Sequence, residues 1–396
     1  MNVIKRPISE VVDVNPRIPT EIASDIKRKV DFVPMAQLSE QGDVTPNGSR
    51  HLGDVMKGYT YFENGDVIVA KITPCMENGK AAFVDNLPHQ IGFGSTEFHV
   101  LRPSDSVDGR YLFYMVWNSK FRNEAEGNMT GSAGQKRVPK AFFDRFVIPL
   151  PPLSEQKRIA DILDKADAIR RKRRDAISQA ETILRSAYSQ IFGDPVANPQ
   201  NWPVEDLGSI ADIVTGYAFK SAEYVDKGVR LCRGANVMPD TISWADVRYW
   251  RPEDKSVDTK LHLAEGDVVL AMDRPWISSG IKVAQVTQAD LPTYLVQRVT
   301  RLRGDDSVSN AFLYQTIRHP AFTAHCGGLK TETTIPHISS ADIKSFQVPV
   351  APKELHGRFE TLAQKTQADV KKLTVAAEEA DDLFHSLVQC AFKGQL

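Results

Sequence analysis

Pro149-Leu150-Pro151-Pro152-Leu153-Ser154-Glu155-Gln156-Lys157-Arg158-Ile159, continuing without a break to Phe192, is the stretch from which the fold can be read. Its prolines stop any helix arriving from upstream, because the ring removes an amide donor and collides with the preceding turn. Ser154 is suited to cap the orphan amides of a new helix, and Glu155 suits the positive end of its dipole. From there Ile159, Ile162, Ala166, Ile169, Ala176, Ala180, Ile183 and Ala187 recur at spacings of three and four, with Arg173 interrupting, until Gly193 and Pro195 supply the stop. The pattern predicts one helix of roughly 38 residues, about 57 Å long at 1.5 Å per residue. Arg170, Arg171, Lys172, Arg173 and Arg174 stand in a row on it, which excludes a membrane span and calls for a coiled-coil partner.

The bounds set by composition are those of an ordinary globular protein. With 396 residues, 42% hydrophobic and 25% charged, the chain has room for two or three domains, each with its own core. Met1 to Pro7 lacks the apolar core of a signal peptide, and four cysteines with no Cys-x-x-Cys pair suggest neither a zinc site nor a disulfide framework; a reducing cytoplasm is the expected location. A net charge of −1 gives no general cationic excess, so any binding of nucleic acid must use local patches.

The chain repeats itself. Gly65-Asp66-Val67-Ile68-Val69-Ala70-Lys71 returns 201 residues later, counting from 65 to 266, as Gly266-Asp267-Val268-Val269-Leu270-Ala271-Met272. Phe121 answers Phe322, Phe146-Val147-Ile148-Pro149 answers Phe346-Gln347-Val348-Pro349, and Gly193 answers Gly394 at the same spacing or one less. The reading is a duplication: a globular half over residues 1–150, a long helix over 151–193, a second half over 194–351 and a second helix over 352–396. Each half reads as mixed α/β. Val67 to Ala70, Val268 to Ala271 and Thr96 to Leu101 favour strands, while Arg110 to Phe121 and Asn310 to Phe322 have helical spacing. Loops at 73–80, 127–138, 215–223, 273–280 and 326–337 are rich in Gly, Ser, Thr, Lys and Arg, and are the places to look for contacts.

The second long helix starts near Lys353 and carries Phe359, Leu362, Leu373, Ala376, Ala380, Leu383 and Leu387 on one side. Antiparallel pairing sets residue 155 opposite 392 and brings Arg170 to Arg174 within about a turn of Glu378, Glu379, Asp381 and Asp382. Parallel pairing would set the same arginines against Lys371 and Lys372, so the antiparallel arrangement is favoured.

Chemistry of the usual kinds is missing. No Gly-x-x-x-x-Gly-Lys-[Ser/Thr] loop occurs, and Ile91-Gly92-Phe93-Gly94-Ser95 reads better as a turn before a strand than as a cofactor loop. Asp240, Glu253 and Lys255 imitate the acidic pair and lysine with which magnesium-dependent nucleases hold their metal, but the first half has no counterpart. A stand-alone Mg-dependent nuclease and a coiled-coil scaffold without DNA readout are the rival readings.

The proline-rich entry into Leu153-Ser154-Glu155-Gln156-Lys157-Arg158-Ile159, with the segment Gly65 to Lys80 and the order half, helix, half, helix, resembles a specificity subunit of a type I restriction-modification enzyme. The resemblance covers essentially the whole length. It implies an α+β fold of two pseudo-symmetric target recognition domains, separated by two long helices, the conserved ones of that family's plan, in an antiparallel coiled coil. It implies a non-catalytic chain that binds double-stranded DNA at a bipartite, asymmetric target and docks two methylation subunits and the restriction subunits. No cofactor is expected in this chain; S-adenosylmethionine, ATP and Mg belong on the partners, and no membrane is involved. The side chains expected to reach bases or phosphates are Lys71, Thr73, Asn78, Lys80, Gln135, Lys136 and Arg137 in the first half, and Lys220, Arg233, Asn236, Arg274, Ser278, Lys330 and Thr331 in the second. The second helix entry, Ala351-Pro352-Lys353-Glu354-Leu355-His356, departs from the pattern, as does Met272-Asp273-Arg274-Pro275 against Lys71-Ile72-Thr73-Pro74.

Overall fold

The computed structural model describes residues 4–132, 134–252, 254, 256–305, 307–328 and 337–396. Two compact units result, Met1–Arg173 with Val375–Leu396 and Arg174–Thr374, so each takes one globular half and the adjoining stretch of both long helices.

In the first unit the strand Val67–Ala70 lies inside an antiparallel four-stranded sheet, between Phe98–Pro103 and Ala81–Phe83, with Val12–Val14 at the far edge. A second four-stranded sheet, Ser49–His51, Lys29–Val33, Ile91–Gly94 and Thr60–Glu63, contains one parallel pairing, Lys29–Val33 with Ile91–Gly94. Gly92 and Gly94 therefore sit within a strand rather than in the turn expected from sequence. A Cβ on Gly92 would meet the Phe62 ring at 2.4 Å, and one on Gly94 would meet the Val33 carbonyl at 2.3 Å. These glycines serve packing.

The second unit repeats the first sheet strand for strand: Asp212–Thr215, Val299–Arg303, Val268–Ala271 and Val283–Gln285, all antiparallel. Its companion sheet is reduced to three strands, Tyr249–Trp250, Val229–Cys232 and Thr293–Leu295, and again has one parallel pairing. The repeated Gly-Asp pair has a mechanical reason. Gly65 and Gly266 adopt φ of +99° and +84°, which a residue with a Cβ resists. The aspartate that follows is 1% exposed in both copies and is forked by an arginine from the neighbouring strand: Arg102 reaches both oxygens of Asp66 at 2.8 Å, and Arg303 those of Asp267 at 2.6 and 2.7 Å. The other task of each carboxylate is to accept an amide of the turn, Glu63 N at 2.8 Å or Ala264 N at 2.7 Å.

The helix expected over Arg110 to Phe121 is two, Gly109–Trp117 and Ser119–Gly127, because Asn118 leaves the helical region and its side chain caps the second by accepting from the amide of Phe121. In the other half His319 and Pro320 make the same break between Asn310–Arg318 and Pro320–Gly328.

The central helix runs Leu153–Phe192, 40 residues, and the C-terminal helix Lys353–Lys393, 41 residues. They pair antiparallel inside each unit. In the first, Arg170 Nε lies 3.8 Å from Asp381, and Arg173 donates to the carbonyl of Ala376. In the second, Tyr188 and Phe192 stack against Phe359, and Phe192 also against His356. Two expectations need correction. The helix begins at Leu153, so Ser154 lies in the first turn rather than capping it. The buried stripe is the expected one only in part: Ile159, Phe359 and Ala380 are buried, but Ile169, Ile183 and Leu383 are 52%, 58% and 59% exposed, and Leu163, Asp167, Arg170, Leu184 and Tyr188 are buried as well. Asp167 and Arg170 hide that stripe from a count of apolar residues. Arg170 bonds Asp167 and lies over the rings of Trp117 and Phe384, 5.1 and 4.5 Å from their centroids.

The helix entry is fastened by Gln156, which is fully buried. Its amide donates to the carbonyls of Ser106 and Pro151, both at 2.9 Å, and its oxygen accepts from the amide of Asp108 at 2.9 Å. Asp108 in turn caps the helix Gly109–Trp117. At the matching place in the second helix stands His356, 2% exposed between Phe192 and Phe312, and neither ring nitrogen has a hydrogen-bond partner among the described residues.

Candidate nucleic-acid interface

In the first half, three chain segments meet where the strand Val67–Ala70 ends. The amide of Lys71 donates to Glu97 O at 2.9 Å, and its carbonyl accepts from the amide of Val138 at 2.9 Å. Thr73 N donates to Lys136 O at 3.0 Å, and Thr130 and Arg137 exchange amide-to-carbonyl bonds of 3.0 and 2.8 Å. The loops 73–80 and 127–138, separate in sequence, are thus one surface. On it Arg137 forks the Glu97 carboxylate with contacts of 2.8 to 3.1 Å, and that guanidinium holds Glu97 below the usual carboxylate range. Gln135 and Lys136 are exposed beside it. Beneath the junction His99 is buried and pushed down to about 4 by burial, so at neutral pH Nε2–H donates to Val138 O at 2.8 Å, and Nδ1 accepts from Asn15 at 3.1 Å.

Other expected residues of this half are already engaged. Thr73 donates to Glu77 at 2.6 Å, Asn78 to Glu40 at 2.9 Å, and Lys80 Nζ to the carbonyl of Met35 at 3.4 Å. Thr73 and Asn78 keep the loop's shape, and only Asn78 does so from an exposed position. Arg122, which the sequence reading did not single out, lies against the same loop: a Cβ on Gly79, whose φ is +84°, would come within 2.5 Å of its guanidinium. Burial lowers the Arg122 pKa.

The second half builds the same junction with other side chains. Met272 N donates to Arg298 O at 2.9 Å, and Ile338 N to Met272 O at 2.9 Å, matching the bonds of Lys71 with Glu97 and Val138. Glu97 is thus replaced by Arg298, Lys71 by Met272 and Arg137 by His337. Here the carboxylate is Asp273, which accepts from His337 Nδ1 at 2.6 Å and lies 3.6 Å from Arg298 Nε. Arg274 is exposed next to it, and Ser278 is exposed at the tip of the hairpin Trp276–Ile277 with Gly280–Ile281.

Arg233 and Asn236 form a turn of their own. Asn236 is buried, accepts from the backbone and Nε of Arg233 at 3.2 Å, and donates to the carbonyls of Ser243 and Asp246 at 2.9 and 3.2 Å. A side chain so committed is a prop and not a reader of base edges. The turn is tied to the main sheet by Lys282, whose ammonium donates to Gly234 O while its carbonyl accepts from Ala271 N at 3.0 Å. Lys282 answers Lys80, whose carbonyl accepts from Ala70 N at 2.9 Å. Burial, then the nearby Arg274, lowers its pKa. Lys220 is exposed, 3.9 Å from Glu223, and no hydrogen bond or ion pair ties its side chain to the junction among the described residues. Lys330 and Thr331 lie outside the described residues. Glu97, Arg298 and Lys282 were missed by the sequence reading, although Glu97 and Arg298 stand 201 positions apart, on the same register as the repeat.

The nuclease-like set does not assemble among the described residues. Asp240 accepts from Tyr314 at 2.7 Å and pairs with Arg318 at 3.1 Å. Glu253 and Lys255 lie outside the described residues, and no cluster of His, Cys, Asp and Glu fit for a metal occurs among those described. Nor is any described helix long and apolar enough to cross a membrane.

The chain is similar to known proteins. Residues 3–179 match the family model of the type I restriction modification DNA specificity domain. The chain is 30% identical to the EcoAI specificity subunit of Escherichia coli over 89% of its own length and 75% of that protein's. It is 28% identical to the MjaVIII specificity subunit of Methanocaldococcus jannaschii over 65% and 63%. Among solved structures, a chain from work on complex assembly and conformational transition of the type I R-M system superposes with a TM-score of 0.56 at 18% identity, covering 99% and 98% of the two chains. A type I S subunit from M. genitalium gives 0.54 at 13% identity, over 99% and 96%.

Proposed function

Because this chain belongs to the family of type I restriction-modification specificity subunits, the non-catalytic component of those systems, we propose that it reads a split, asymmetric sequence in double-stranded DNA, one part with each globular half. The observation that carries the reading is the duplicated junction. The same backbone bonds join Lys71 to Glu97 and Val138 in one half and Met272 to Arg298 and Ile338 in the other, and the same antiparallel bridge sets Arg137 opposite Ile72 and His337 opposite Asp273. A single framework with two sets of hydrogen-bonding groups is what two unlike half-sites require, since base edges in the major groove are told apart by their pattern of donors and acceptors. The exposed Gln135, Lys136 and Arg274, with Arg137, are the groups nearest to hand for such contacts, with Lys71 and Lys80 adding positive charge.

On this reading the long helices dock two methylation subunits and the restriction subunits. S-adenosylmethionine, ATP and Mg are held by those partners, which also supply much of the phosphate neutralisation that a chain of net charge −1 does not. The assembly works in the cytoplasm. The test is co-expression with a methylation subunit in cells lacking other methyltransferases, followed by methylome sequencing. A split, non-palindromic motif is expected; no new methylation, or a continuous palindrome, would refute the reading.

A further inference from the structure

Arg298 combines three features seen at no other residue of the two junctions. Its backbone lies in the left-handed region, φ +67°, and Arg274 beside the same junction is also there, at φ +45°. Non-glycine residues are uncommon in that region, and bulky ones persist there only where the surrounding structure forces them. Its position is fixed on both sides: Met272 N donates to the Arg298 carbonyl at 2.9 Å, and the preceding Gln297 N donates to Tyr217 O at 2.8 Å. Its side chain is 59% exposed and held only at Nε, 3.6 Å from Asp273. The terminal nitrogens take no hydrogen bond among the described residues. Asp273 is itself anchored by His337 at 2.6 Å. In the first half the equivalent residue is Glu97, whose carboxylate is consumed by Arg137.

From this arrangement we infer that Arg298 is a specificity-determining residue, a guanidinium offered to the paired acceptors on a base edge, with Asp273 and His337 as its positioning residues. The inference rests on the proposed DNA reading and extends it to a residue outside the set expected from sequence. A rigid turn and a carboxylate at one edge leave the flat Nη fork pointing in a set direction, which suits bidentate recognition of a purine with two acceptors, guanine above all. A contact to phosphate would need only charge, which Lys supplies as well.

The test uses the full chain co-purified with its methylation subunit and a randomised duplex DNA library, from which bound sequences are recovered. The unsubstituted complex must first select a split motif; if it does not, the proposed function fails and Arg298 is not at issue. Arg298→Lys is expected to keep capture of unselected DNA within about twofold while losing, on the order of tenfold, the preference at one base pair of one half-site. Arg298→Gly should lose the same preference with a thermal midpoint no lower than that of the parent, because glycine accepts φ +67° without strain. Selection of the unchanged motif by both variants, or a uniform fall at every position of both half-sites, would overturn the assignment. A lowered midpoint in Arg298→Gly would show that the residue is structural.

Discussion

Replacing His356 with glutamine should remove a specific part of the acid sensitivity of the second unit. The ring is 2% exposed, its nitrogens lack partners among the described residues, and burial pushes its pKa from the ordinary 6.5 down to about 4. Between those values the unfolded chain binds a proton that the folded chain refuses. Stability contributed by the neutral ring is therefore full near pH 7 and is lost progressively as pH falls toward 4. With 6.5 and about 4 as the two pKa values, the loss between pH 7 and pH 5 is about 2 kcal/mol, or roughly 4–8 °C in midpoint for a unit of this size. Glutamine does not titrate and is the residue the first helix uses at the matching position, Gln156. Thermal unfolding of both proteins from pH 7 to pH 5 reads the difference, and only the difference, since other groups titrate equally in both. The variant should hold its midpoint about 4–8 °C better than the parent over that drop, whatever its level at pH 7. Parallel pH profiles, or a ring titration by NMR with a midpoint at or above 6.5, would refute the reasoning.

Other substitutions test the packing of the helices and the first junction. Arg170→Ala leaves the buried Asp167 with Arg171 as its remaining cation and strips two aromatic faces, and should cost about 2–3 kcal/mol in chemical denaturation. Arg170→Lys should recover little of it, because an ammonium lacks the flat stacking surface. Gln156→Ala removes three hydrogen bonds and strands the amide of Asp108, for about 2–4 kcal/mol, and Gln156→Glu should not rescue it at pH 7, since a carboxylate cannot donate to the carbonyls of Ser106 and Pro151. Arg137→Ala frees Glu97, and should change preference at the half-site read by the first half alone while leaving the other untouched; DNA library selection reads both at once.

The duplication, the strands Val67–Ala70 and Val268–Ala271, and the two long helices were legible because each rests on a local signal: a Gly-Asp turn before an apolar run, or prolines and glycines at fixed places. The convergence of loops 73–80 and 127–138 was legible only as a composition, since the bonds that join them run through backbone atoms that any residue carries. The helix stripe misled because two of its buried members, Asp167 and Arg170, are charged and neutralise each other. Asn236 looked like a base reader on side-chain type, yet burial commits its amide to the chain. Arg298 was invisible for the opposite reason: what singles it out is a backbone angle and a carboxylate reached from another segment, neither of which an isolated arginine announces.

The central claim is that each half reads its own part of the target. Residues 1–148 are to be exchanged for the equivalent part of a relative of different specificity, the hybrid co-expressed with the methylation subunit, and the methylome sequenced. One half of the methylated motif should change to the relative's while the other half stays as it was. A hybrid that folds and methylates, but in which both halves change together or neither does, would contradict the account.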